Sequence, residues 1–125
     1  MNEQDFYFLQ DYNALLDALA EAYNHLRDKS GNCSDKVNEQ VLLASQEAVV
    51  KINETNKTVK EILKNHQSIS DYLHEFSSFL NELEDSGYFY QDFSIQQEFL
   101  LEKVYPLFSL WKNNMQKCLF RYIAH

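Results

Sequence analysis

Glu21 and His25 stand four residues apart and Asp71 and His74 three apart, the two spacings at which helical side chains meet. Helical bundles use carboxylates and imidazoles at such spacings to hold metals. A di-iron site takes a Glu from each of two helices and a Glu-x-x-His from each of the other two. Asp71-Tyr72-Leu73-His74 is the nearest match and occurs once, and the last stretch of chain has no His before the terminal His125. The ligand set falls short of a metal site, so no metal or other cofactor is expected.

His25-Leu26-Arg27-Asp28-Lys29-Ser30-Gly31 superficially resembles the reactive segment of histidine phosphotransfer domains, which are acidic bundles near this length. In that family Lys follows the exposed His by three residues, with Gly after it. Here Asp28 occupies the Lys position, Lys29 comes one residue late and Gly31 too late. A phosphoryl group on His25 would meet a carboxylate where it needs a cation. The ordinary reading of His25 is a residue in a helix's last turn, where partial positive charge is favourable. The thiols offer no better nucleophile. Cys118 falls on an apolar stripe and reads as an inert core residue; Cys33, beside Asp35 and Lys36, reads as a free surface thiol.

Aromatic clusters are the stronger candidates for function. Phe6-Tyr7-Phe8-Leu9 and Tyr88-Phe89-Tyr90-Gln91-Asp92-Phe93 each carry more apolar residues in a row than one helix face can bury. The expectation is that both lie at the same end of a helical bundle. Phe6, Tyr7, Tyr88, Phe89, Tyr90, Asp92 and Phe93 would then form one aromatic and acidic protein-binding patch. The competing reading is that these rings seal the bundle's end against each other, with the Tyr hydroxyls in water.

The elements that must position these residues are helices. The first is expected over 4–28, with Phe8, Tyr12, Leu15, Leu19, Ala22 and Leu26 on one stripe and Gly31 just beyond its end. The second is expected over 35–64, capped by Ser34, with the stripe Val37, Val41, Ala44, Ala48, Ile52, Thr55, Val59 and Ile62. Ser68 or Ser70 should cap a third over 69–85, stopped by Ser86-Gly87. Ser94-Ile95-Gln96-Gln97 has the form of a capping box and opens a fourth over 95–123, through Leu101, Val104, Phe108, Trp111, Met115, Cys118 and Tyr122. The stripe keeps its phase across Pro106, which predicts a kinked helix; a break, with Pro106 opening a new helix, is the alternative. Short connectors between long helices imply an antiparallel up-down-up-down four-helix bundle.

Composition agrees with that class. The chain has 125 residues, room for one domain over 1–125, with 2 Gly and 1 Pro, too few to supply the turns of a β-rich fold. The net charge is −8, which argues against a surface that binds nucleic-acid phosphates or an anionic membrane. The acidic N-terminus and the absence of a long apolar run point to a cytoplasmic location. Charge alternates along the chain: −5 over 1–28, +1 over 29–64, −8 over 65–102 and +4 over 103–125. An up-down bundle places each acidic helix between neutral or basic neighbours.

Tyr105-Pro106-Leu107-Phe108-Ser109-Leu110-Trp111-Lys112, the ending Tyr122-Ile123-Ala124-His125 and the opening Tyr12-Asn13-Ala14-Leu15-Leu16-Asp17 resemble small uncharacterised helical proteins of Bacillus-type bacteria. The resemblance implies a bacterial cytosolic protein and no activity. The leading expectation is a non-enzymatic interaction module (an adaptor, an inhibitor or a chaperone-like binder) whose partner is a protein with a basic or amphipathic segment. The alternatives are a phosphotransfer or metal-dependent enzyme using His25 or His74, and an acidic mimic of nucleic acid.

Overall fold

The computed structural model describes residues 1–28 and 35–123. The expectations for Gly31, Cys33, Ser34 and His125 lie outside the described residues. The protein is all-α. Helices α1 (Glu3–Asp28), α2 (Asp35–Ile62) and α3 (Ile69–Asp85) are followed by a 3-10 turn (Tyr88–Tyr90). A last helical run is made of α4 (Phe93–Phe99), a π-helical turn (Leu100–Val104) and α5 (Tyr105–Ile123). That run is the fourth member of a four-helix bundle. No helix among the described residues is long and apolar enough to cross a membrane.

Local chemistry accounts for the start of α1 and the end of α3. Asn2 caps α1, its Oδ1 accepting the Asp5 N–H at 2.8 Å, and Glu3 and Asp5 put negative charge on the first turn. α3 ends where Gly87 takes φ +74. There the Ser86 N–H reaches the Glu82 carbonyl at 3.0 Å and the Gly87 N–H the Glu84 carbonyl at 3.1 Å. A Cβ at position 87 would meet only the Gln91 Nε2 at 3.7 Å, so the left-handed φ is what favours glycine.

Of the expected serine caps among the described residues, Ser68 holds the N-cap position of α3 without the side-chain bond, and Ser94 is not a cap. Ser68 precedes α3 but makes no side-chain cap bond; instead its N–H donates to His66 Nδ1 at 3.3 Å. Ser94 lies inside α4, whose N-cap position is Asp92. The would-be capping partner Gln96 turns inward, donating from Nε2 to the Tyr88 carbonyl at 2.7 Å.

α1 packs mainly on α2 and α5, and α3 packs mainly on the same two. Between α1 and the last helical run, Gln97 of α4 reaches the Leu26 carbonyl, and from α5 Tyr105 reaches Asn24 and Gln116 reaches Asn13 and Asp17. Residue numbers thus fall along α1 as they rise along the fourth member. The same reversal holds across α3 and α5, where His66 meets Tyr122 and Phe76 meets Trp111.

The expected stripes are kept at Tyr12, Leu19, Leu26, Ile52 and Val59 and from Val104 to Cys118, and the core departs from them by one residue elsewhere on α1 and α2. α1 buries Leu9, Tyr12, Leu16, Leu19, Tyr23 and Leu26, leaving Phe8, Leu15 and Ala22 half-buried. On α2 the buried positions are Asn38, Leu42, Ser45, Val49, Ile52, Asn56 and Val59, while the expected Val37 and Ala44 are exposed. Three polar side chains therefore sit on the inner face of α2. Asn56 Oδ1 accepts from the Tyr12 hydroxyl at 2.5 Å, and the Ser45 hydroxyl donates to the Leu42 carbonyl at 2.6 Å.

The last run is continuous through Pro106, with the π-helical turn immediately before it. The Tyr105 N–H bonds to the Leu100 carbonyl, five residues back. A π turn takes up one more residue than an α turn, so buried Gln96, Leu100, Val104 and Phe108, four residues apart, stay on one face. The expected stripe began at Leu101, which is half-buried; Leu100 points fully inward.

Candidate functional site

Where α3 and α5 pack, the inner rows of both helices are used up by the core. α3 commits Ile69, Leu73, Phe76, Leu80 and Leu83, and α5 commits Phe108, Trp111, Met115, Cys118 and Leu119. Each helix carries further apolar residues one step off that row. Phe79 is half-buried, and Leu107 and Leu110 are 50% and 63% exposed. These three side chains border a groove of about 390 Å³ floored by Phe76, Phe108 and Trp111, with Glu75 and Glu82 among its lining.

The floor is held rigidly. The Trp111 ring lies against Phe76 with centroids 4.7 Å apart, and its Nε1–H donates to the Tyr72 carbonyl at 2.7 Å. That bond orients a ring that would otherwise need water for its N–H. The acidic lining follows from composition, because 65–102 contains eight acids and no Lys or Arg. Glu75 and Glu82 are exposed.

Further along the same seam, towards the turn between α2 and α3, the character changes. A cleft of about 560 Å³ is lined by His66, Ser68, Tyr72, Asn114, Lys117 and Arg121, among others. Asn114 borders both spaces. Cys118 also lines the cleft but is only 5% exposed. Burial pushes its thiol pKa up, against a smaller lowering by the Arg121 charge, so the inert core assignment suits it.

A third apolar surface lies on α2. Leu43 and Val50, 53% and 49% exposed, join Phe89 around a shallow space of about 530 Å³ that also has Glu47, Lys51 and Glu54 in its lining. Its charges are mixed, unlike those of the α3–α5 groove.

The residues expected to form one patch are not brought together. Phe6 and Tyr7 contact each other edge-on at 5.6 Å, at the end where Gln10 and Asn13 border Phe120 and Ile123. Tyr88, Phe89, Tyr90, Asp92 and Phe93 lie at the opposite end, where Gln97 reaches Leu26. The 19 residues from Tyr7 to Leu26 span about 28 Å of helix. Three helices precede that connector, and an odd number of helix lengths run in alternating directions puts it at the far end from the N-terminus.

The connector also splits in role. Tyr88 is 4% exposed and packs on Phe89 and Phe99 at 5.3 and 5.8 Å; burial pushes its phenol up to about 12. Phe89 and Phe93 are half-buried and Asp92 is exposed, while Tyr90 is 92% exposed. Tyr88 closes the bundle's end, and Tyr90 projects from it.

The histidines lie apart. His25 is half-buried near the end of α1, and His74 is exposed on α3. Asp28, in the position where phosphotransfer needs a cation, pairs with Arg27 at 3.0 Å. Among the described residues no group of three or more His, Cys, Asp and Glu gathers as metal ligands would.

Sequence reasoning missed the α3–α5 groove although its signal was present. Leu107 and Leu110 lie off the Val104–Phe108–Trp111 row, and Phe79 stands beside Leu80. Apolar residues in excess of one stripe mark an interaction face as well when spread along a helix as when clustered at its end.

Residues 7–114 match the family model described as a domain of unknown function, DUF8042, and the chain belongs to that family. No curated protein and no solved structure matched the chain.

Proposed function

We propose that this member of a family of unknown function is a non-enzymatic protein-interaction module, and that its docking surface is the α3–α5 groove. The observation that carries the reading is the exposure of Leu107 and Leu110, 50% and 63%, over a floor of packed aromatic rings. Adjacent exposed apolar side chains on a rigid floor are what a partner's anchors fill. A groove between two helices is the shape that receives a third, laid in by its apolar face. Glu75 and Glu82 on α3 favour a partner helix with basic residues flanking that face. The partner class is therefore the expected one, a basic amphipathic segment, with the site moved from the bundle's end to its side.

Partner capture with three proteins tests this: wild type, Leu107→Ser/Leu110→Ser, and Leu43→Ser/Val50→Ser as a surface control. All should show the same helical circular dichroism, since every substituted side chain is half-exposed. The expected outcome is one partner held by wild type and by the control, and lost or weakened at least about tenfold by the groove variant. Undiminished retention by the groove variant would overturn the reading.

A further inference from the structure

We propose that the last helical run is a two-register device, in which the π-helical turn before Pro106 straightens into regular α-helix and turns α4 against the bundle. The inference goes beyond the docking groove and stands without it. Straightening the turn rotates α4 by about 100° and moves it about 1.5 Å along its axis, the step of one α-helical residue. Each residue before the turn then yields its place to the one that follows it.

The sequence suits both registers. In the observed one, Gln96 and Leu100 are buried in a row with Val104 and Phe108. In the regular one, Gln97 takes the place of Gln96 and Leu101 that of Leu100. The row 97, 101, 104, 108 has the unbroken spacing of an α-helical face. Identical side chains therefore stand ready at both inner positions, and Leu101 already packs, partly buried, against the core. Leu100 in turn replaces Phe99, apolar for apolar, beside Tyr88.

α4 is held lightly enough to turn. α1 buries six side chains and α3 five, whereas α4 buries only the polar Gln96. Its bond to α1, from Gln97 Nε2 to the Leu26 carbonyl, is long at 3.4 Å, and Asp92 at its N-cap position makes no side-chain bond. Segments with so few buried apolar contacts open ahead of the rest of a fold.

Three features make the observed register the major one. In regular α-helix Pro106 meets the Glu102 carbonyl, four residues back, whereas in the structure the wide turn closed by the Tyr105 N–H and the Leu100 carbonyl precedes it. Straightening also brings Glu98 to the Leu26 carbonyl, where Gln97 now donates, and Ser94 to the place of half-buried Phe93. The proline thus acts against the regular register alone.

The test is a thermodynamic cycle on the full chain, read by urea denaturation. Leu100→Ala alone should lower the folding equilibrium constant about thirtyfold or more, the effect of emptying a buried leucine site. In a Pro106→Ala background the chain can turn to bury Leu101, so the same substitution should lower it at least about fivefold less. Adding Leu101→Ala to that double variant should bring the loss back. A second measurement does not depend on Leu100→Ala folding: amide relaxation dispersion on Pro106→Ala should show μs–ms exchange at residues 92–105 and none in α3. Equal losses from Leu100→Ala in both backgrounds, or the absence of exchange at 92–105 in Pro106→Ala, would overturn the proposal.

Discussion

The Tyr12–Asn56 hydrogen bond joins two residues that are 1% and 7% exposed. The Asn56 Nδ2 has no partner in the core, so the amide depends on the Tyr12 hydroxyl for what satisfaction it has. Removing that hydroxyl by Tyr12→Phe leaves the Asn56 carbonyl oxygen buried and unpaired, at a cost of about 1–3 kcal/mol. Replacing both partners with apolar groups of similar shape, Tyr12→Phe/Asn56→Leu, should recover most of that loss, because no buried polar group then remains unmade. Urea denaturation of the two variants checks both signs; a double variant less stable than Tyr12→Phe alone would show that the amide contributes through packing. This residue pair also shows where apolar periodicity stops being informative. A stripe drawn through Val37, Val41, Ala44 and Ala48 looks more hydrophobic than one through Asn38, Leu42, Ser45 and Val49. The second is inside with its polar groups only partly satisfied: Tyr12 serves Asn56 Oδ1 and a backbone carbonyl serves Ser45, while Asn38 Oδ1 and Asn56 Nδ2 are buried without a partner.

At the scale of elements, the four helices were legible from periodicity, from the scarcity of Gly and Pro, and from the Ser86-Gly87 stop. α3 begins and ends where its pattern does. The π-helical turn was not legible, since a one-residue insertion leaves a three-or-four spacing pattern looking unbroken. Its presence changes what Pro106 does. In a straight α-helix interior a proline costs about 3 kcal/mol through the missing bond and the clash four residues back. Here the turn before it already bonds five residues back, and Pro106 is exposed, second in α5. Pro106→Ala should therefore change stability by less than about 1 kcal/mol with helical circular dichroism unaltered. The extra residue is still needed to keep Leu100 and Phe108 on one face. A gain near 3 kcal/mol in urea denaturation would instead mean that the proline strains a helix that prefers to be regular.

Over the whole molecule, α1 and the acidic stretch containing α3 each pack mainly against α2 and α5, so the two most negative elements are separated by neutral and basic ones. Each exposed attraction is small, yet the arrangement keeps the strongest repulsion off the packing faces. The bundle class follows from the pattern of its helices; which surfaces meet depends on counting reversals. Phe6 and Tyr7 begin the first helix, and Tyr90 follows the third, so the chain has reversed direction twice and then run one more length away. Spin labels at Tyr7→Cys and Tyr90→Cys, with Cys33→Ser and the buried Cys118 left in place, should report a separation beyond about 30 Å, given about 1.5 Å of rise per helical residue. Labels at Tyr7→Cys and Phe120→Cys, exposed residues at the same end, should lie within about 20 Å on the same scale. Both measurements are double electron–electron resonance on folded protein. A short first distance would restore a single aromatic patch at one end and remove the reason for placing the docking surface on the side. A long first distance with a short second leaves the two ring clusters unable to grip one partner together. The α3–α5 seam then remains as the face where exposed apolar side chains and uncompensated acids coincide.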